Sequence, residues 1–290
     1  MTAPGSAHRF ASGGPDQDAR PASARDRALA GGAAPRRWGS WYVAEHRLRA
    51  MRGYLQSVLF QSFGNPLVYL FALGVGLASL VPQGIGDVGY LQFVAPALMA
   101  TAAMTVAANE TTYPIMMGFK WNPIFFGMNA SPISGAQIVN GIMIAVAARM
   151  VVTVGIYYLV ILLFGAVPSM WGMLTIPIAA LTGMAIGLAI TAYTSRIEED
   201  RGQMAMLMRF GITPMFLFSG TFFPLDQLPA LLQPLGWLSP LWHGTELGRV
   251  AAYGAVEPVW LTVTHVGYLM SLVVIGLWSA RRTFTRRLDK

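Results

Sequence analysis

Long apolar blocks separated by short polar stretches run through most of the chain. A helix needs about 20 largely apolar residues to cross about 30 Å of hydrocarbon. Six blocks meet that length, at roughly 64–82, 91–112, 137–164, 172–194, 204–223 and 259–280. They predict an all-α integral membrane protein with six transmembrane helices. The first block opens on Asn65-Pro66, which predicts a bend there. The fourth holds Gly183 and Gly187, a spacing that permits close helix approach. Ahead of the blocks, residues 41–63 follow a helical period. Trp41, Ala44, Leu48, Met51, Leu55, Val58 and Leu59 share one arc; Glu45, His46, Arg49, Arg52, Gln56 and Ser57 share the other. A basic amphipathic helix with aromatic residues at its start suits a membrane interface. Arg47 lies on the apolar side, where its long stem permits snorkelling. Residues 1–37 are rich in Ala, Gly, Pro and Arg and are expected to be a disordered cytoplasmic tail.

Composition agrees with the pattern. Hydrophobic residues make up 54% and charged residues 11%, whereas a soluble chain is about a quarter charged. Mean hydropathy is +0.51. A soluble domain, a disordered protein and a nucleic-acid binder are excluded. Cysteine is absent, so no disulfide, thiolate nucleophile or cysteine zinc site exists. The net charge of +7 is placed rather than spread. Nine of the 20 basic residues precede residue 53, and Arg281, Arg282, Arg286, Arg287 and Lys290 close the chain. The 83–90 and 165–171 connections carry no Lys or Arg. The positive-inside rule then puts both termini in the cytoplasm, and six spans return the chain to that side. The excess charge is accounted for by topology and anionic lipid, without nucleic acid.

Two connections are too long for turns. On the inner side, 113–136 is apolar and aromatic yet broken by Pro114, Pro123 and Pro132. Exposed Phe119, Trp121, Phe125 and Phe126 with Lys120 form a patch suited to a partner, unless they pack back on their own bundle. On the outer side, 224–258 carries Ser239-Pro240, a helix start, and Asp226, a second candidate cap. Two re-entrant half-helices fit its length, buried in protein or facing a watery cavity.

Polar groups within the blocks are candidates for chemistry. Arg149 lies near mid-depth of the third block, where a charge requires a partner. Glu110, late in the second, is the nearest, as a structural clamp or a gating charge. His243 and His265 read as structural histidines. There is no HExxH, no phosphate loop with Lys and no carboxylate cluster on one helix face. Glu198-Glu199-Asp200, flanked by Arg196 and Arg201, reads as a solvated turn. Ser219-Gly220 with His265 invites comparison with rhomboid intramembrane proteases, but that reading needs a Ser–His hydrogen bond. A non-catalytic scaffold or channel is a further alternative.

Three stretches together resemble the membrane subunit of type-2 ATP-binding-cassette exporters, within them most of all the nodulation-factor exporter permeases. They are Asn109-Glu110-Thr111-Thr112-Tyr113, Ala130-Ser131-Pro132, and the run Phe218-Ser219-Gly220-Thr221-Phe222-Phe223-Pro224 with Gln227-Leu228-Pro229 and Leu238-Ser239-Pro240-Leu241-Trp242-His243. The resemblance covers about 38–290. It implies a transmembrane domain in a bacterial inner membrane, with no catalytic site, cofactor or metal of its own. ATP and Mg would sit on a partner ATPase subunit, beside a second permease chain. It makes Phe119, Lys120, Trp121, Phe125 and Phe126 the coupling-helix contact. It makes Ser219, Gly220, Phe222, Phe223, Pro224, Trp242 and His243 an outer re-entrant gate. The apolar run after Tyr113 departs from the polar residues common in the family. Implied cargo is a lipo-oligosaccharide, a polysaccharide or an amphiphilic drug, the last meaning antibiotic resistance. Met99, Met104, Met215, Phe216, Phe222 and Phe223 are candidates to line its path.

Overall fold

The computed structural model describes residues 23–77 and 84–290. Helix α1 spans Ala24–Arg52 and opens on a reciprocal cap, in which Ser23 Oγ accepts from Asp26 N and Asp26 accepts from Ser23 N. Residues 24–37, expected to be part of a tail, are thus the first half of a 29-residue helix. Alanine content, the cap and docking on a neighbour outweigh Gly31, Gly32 and Pro35. Residues 1–22 of that expected tail lie outside the described residues. The α1 face that docks is Gly32, Gly39, Val43, Ala44 and Met51, whereas Trp38, Trp41 and Tyr42 remain exposed. Trp41 is therefore not on the packed side, and three outward aromatics suit a headgroup layer.

A turn at Gly53-Tyr54 separates α1 from α2, Leu55–Tyr69, which runs on as a π-helix over Leu70–Leu77. The next segments follow the expected blocks: α3 Tyr90–Thr111, then two short inner helices, α4 Tyr113–Phe119 and α5 Ile124–Ala130, and α6 Gly135–Leu163. After a 3-10 turn at Met170–Leu174 comes α7, Thr175–Thr194. The fifth block divides into α8 Gln203–Leu207, a π-turn Met208–Ile212 and α9 Thr213–Phe218, ending five residues before the expected boundary. Two further helices follow, α10 Gln233–Trp237 and α11 Pro240–Tyr253. Helix α12, Val259–Leu288, closes the chain.

Among the described residues, four helical stretches are long and apolar enough to cross a membrane: Tyr90–Phe119, Gly135–Leu163, Met170–Thr194 and Val259–Leu288. Gln203–Phe218 is apolar but shorter. The 64–82 block overlaps α2 and its π extension and runs into residues outside the description.

Helices α3 and α7 pack side by side through small residues. A Cβ on Gly183 would meet Met150 Sδ and, at 2.9 Å, the Ala103 carbonyl oxygen; one on Gly187 would meet Ala107 Cβ at 3.2 Å. Glycine spacing on one helix thus faces alanine spacing on the other. Helix α11 is seated the same way. Gly244 abuts Thr182 of α7, and Gly248 sits 3.1 Å, in Cβ terms, from Pro96 of α3. Helix α12 covers α7, where Gly276 approaches Leu188.

Candidate functional site

Three constellations lie along the axis of the bundle. At one end, α4 and α5 form a hairpin whose apolar residues divide. Phe119 and Phe125 are buried, with their rings 4.5 and 5.0 Å from that of Phe284 on α12. Arg287 covers the Phe119 ring at 4.0 Å. Gly118 lies so close to Phe125 that no side chain fits. Trp121 and Phe126 stay exposed, at 58% and 40%. Of the five expected contact residues, two anchor the hairpin and Lys120, Trp121 and Phe126 remain available. An open groove of about 690 Å³ runs beside Lys120, lined also by Phe119, Glu198, Glu199, Arg201 and Arg287. Lys120 Nζ is 3.8 Å from Glu199 Oε1. The Lys290 ammonium bonds Glu198 and holds its carboxyl below the usual carboxylate range.

The second constellation is ionic. Glu110, one helical turn before the hairpin begins, is buried and accepts from two arginines. One is Arg149 from midway along α6. The other is Arg47 of α1, with Nη2 3.0 Å from Glu110 Oε2. Arg47 was not among the residues singled out for a site. The signal for it was its place on the apolar arc of α1, which also reads as snorkelling. Above the cluster is a cavity of about 200 Å³ between α2, α3, α6 and the α8–α9 stretch. Leu98, Met104, Ile212, Tyr69 and Phe216 give it apolar walls, and Arg149, Asn109, Thr101, Thr105, Thr153 and Ser62 a polar side. Met104 and Phe216 thus line a cavity, whereas Met99 is buried in the core.

The third constellation lies at the opposite end of the bundle. Gly220 takes φ +71, a left-handed turn that favours glycine. Its carbonyl accepts from Arg249 Nη2 at 2.6 Å. Arg249 is 3% exposed and also bonds Glu246 at 2.7 Å and the Phe93 carbonyl at 3.3 Å, with its guanidinium over the Phe93 ring. This buried clamp was missed from sequence, although Glu246 and Arg249 stand three apart on one helix. Ser219 Oγ donates to Ser239 Oγ at 2.6 Å, and Ser239 Oγ accepts from Leu241 N as the cap of α11. Phe222 packs on Phe216, and its carbonyl accepts from Tyr90 OH. Phe223 is half-buried, and Pro224 precedes a single 3-10 turn, Leu225–Gln227. Asp226 lies inside that turn and does not cap it.

His243 and His265 meet at 2.6 Å between Nδ1 atoms, with Trp242 edge-on to both rings. His243 Nε2 donates to the Trp237 carbonyl at 3.0 Å. The two Nδ1 atoms share one proton between them, and His265 Nε2 faces Glu257 Oε2 at 3.5 Å. Ser219 is engaged by Ser239 and His265 by His243, so the Ser–His dyad of the protease reading is not formed. The segment expected to hold two half-helices carries a 3-10 turn, the five-residue helix α10 and the 14-residue helix α11.

Comparison with known proteins bears on all three places. Residues 42–253 match the family model described as ABC-2 type transporter. Nodulation protein J of Rhizobium leguminosarum bv. trifolii is 30% identical over 256 residues, which cover 87% of this chain and 92% of that protein. Nodulation protein J of Neorhizobium galegae is 30% identical, over 80% and 87% of the two chains. The Rhizobium meliloti protein of that name is 26% identical, over 78% and 85%. No solved structure matches the chain. With most of its length matched by the family model and by full-length relatives, the chain belongs to the ABC-2 type transporter family, the membrane permeases of ATP-binding-cassette transporters.

Proposed function

We propose that this chain is the permease subunit of an ATP-driven exporter that moves an amphiphilic molecule outward by alternating access. The observation that carries the reading is the inner hairpin. It is pinned to α12 by Phe119 and Phe125 yet leaves Trp121 and Phe126 exposed, with Lys120 on the edge of a charged groove. It is also nearly continuous with α3, which carries Glu110 and one wall of the cavity. A push on the hairpin is therefore a push on the charge cluster. The ATPase subunit supplies ATP and Mg binding; the permease supplies differential contacts with cargo. Six spans, a second permease chain, a bacterial inner membrane and cytoplasmic termini belong to this reading. The resemblance to nodulation-factor exporter permeases supports a lipo-oligosaccharide or related amphiphile as the cargo of this reading.

Co-expression with an ATP-binding-cassette ATPase from the same genome tests the proposal. The two proteins should copurify, and the complex should hydrolyse ATP. Trp121→Ala combined with Phe126→Ala should abolish copurification while leaving the permease folded. An ATPase that never associates, or association indifferent to both substitutions, sinks it.

A further inference from the structure

The ionic cluster is not neutral. Arg47 and Arg149 share the single carboxylate of Glu110, and guanidinium stays charged in proteins. Among the described residues, no other acidic side chain pairs with either arginine. One positive charge is left over where desolvation is costly. The surplus borders the cavity, because Arg149 is part of its lining. Three lining residues also carry buried polar atoms without a hydrogen-bond partner: Arg149 Nε, Thr101 Oγ1 and Tyr157 OH. Water can serve unpaired hydroxyls, but it cannot balance a charge. The opposite wall is apolar, formed by Leu98, Met104 and Phe216.

We infer that this cavity binds the oxyanion headgroup of an amphiphile, a phosphate or sulfate, at its Arg149 end, with the aliphatic part along Leu98, Met104 and Phe216. The site deepens the export reading and depends on it only for the cargo's direction of travel. A bilayer phospholipid and an anionic glycolipid cargo present the same chemistry to it.

The test uses the purified full-length chain and native mass spectrometry. Dodecyl phosphate, dodecyl maltoside and dodecyltrimethylammonium share one tail and differ in headgroup charge. Dodecyl phosphate should bind about ten-fold more tightly than the other two, the ratio that one charge-assisted hydrogen bond supports. Tyr157→Phe and Thr101→Val remove one hydroxyl each and should weaken dodecyl phosphate several-fold without changing dodecyl maltoside. Arg47→Gln is the most informative change. Arg47 does not line the cavity, so loss of the phosphate preference in that variant reports charge and not contact. Equal binding of the three probes overturns the inference, as does a preference untouched by Arg47→Gln and Tyr157→Phe. The mass of the adduct that copurifies with the unmodified chain separates phospholipid from larger cargo. ATPase copurification is measured independently, so failure of the permease reading is distinguishable from failure of the site.

Discussion

Glu110 holds two cations, and the three residues of the cluster are not equivalent. Removing either arginine leaves the carboxylate with a partner; removing Glu110 leaves two guanidiniums facing each other. Glu110→Ala should therefore cost the most, about 3–5 kcal/mol by analogy with other broken buried pairs. Arg47→Ala and Arg149→Ala should each cost less, and either combined with Glu110→Ala should cost less than the sum. Thermal unfolding of the purified variants checks the ranking; equal effects for all three deny the shared carboxylate. Glu110 and Arg149 were legible in the sequence because a charge in an apolar block demands an opposite charge within reach. Arg47 was not, since helical periodicity puts a residue on a face without saying which helix covers that face. Gly220 makes a second point. Its φ of +71 supports the carbonyl that Arg249 holds, and a Cβ would lie 3.3 Å from Trp242. Gly220→Ala should lower stability by about 1–2 kcal/mol, the left-handed penalty for an ordinary residue. A melting temperature equal to that of the parent would show that the turn relaxes instead.

Among the elements, α11 was the hardest to place from sequence. Its start is plain, because Ser239-Pro240 is a cap followed by a first-turn proline. Its seat is set by Gly244 and Gly248, the same four-residue spacing that marks Gly183 and Gly187 on α7. Nothing local says that this pair faces Thr182 and Pro96 rather than lipid. Gly244→Leu should overpack that contact and cost about 1–3 kcal/mol. Gly155→Ala, where a Cβ meets open space on α6, should be neutral or slightly stabilising. Differential scanning of both variants separates seat from background, and a neutral Gly244→Leu would place α11 elsewhere. The C-terminal end of α12 gives an element-scale pH dependence. It is tied to the 195–202 turn by a Ser195–Thr283 hydrogen bond, by Arg287 on the Thr194 and Ser195 carbonyls, and by Lys290 on Glu198. Glu198 titrates lower in the folded chain than in the unfolded one. Its share of the tether is thus present above the unfolded carboxylate value and is lost as pH falls through the depressed one. Hydrogen exchange of the turn, corrected for intrinsic rates, should lose protection over that acidic window. Lys290→Ala should show the loss already at neutral pH and little further response to acid. A parent protein whose turn stays equally protected in acid contradicts the tether.

Over the whole molecule, charge placement and geometry make one joint statement about sidedness. The hairpin with Lys120 and Trp121, the Glu198–Arg201 turn and the α12 terminus lie together at one end, as the Lys120–Glu199 and Lys290–Glu198 pairs show. The α11 cap and the 255–258 connection lie at the other end of α12. The first end is rich in Lys and Arg, and the second has Arg249 alone, which is buried. By the positive-inside rule the proposed orientation puts the basic end in the cytoplasm. A chain without cysteine is a ready background for testing this. Val256 is fully exposed at the second end and Trp121 largely exposed at the first. In intact cells, freed of any outer membrane, a membrane-impermeant maleimide should label Val256→Cys and leave Trp121→Cys unlabelled until the membrane is opened. Adding the ATPase to opened membranes should then protect Asn122→Cys, an exposed neighbour that leaves the Trp121 contact in place, and not Val256→Cys, because the hairpin is its proposed seat. Labelling of Trp121→Cys in intact cells would invert the orientation, and with it the direction of transport. Correct sidedness without ATPase protection would keep the topology and remove the hairpin from the coupling path.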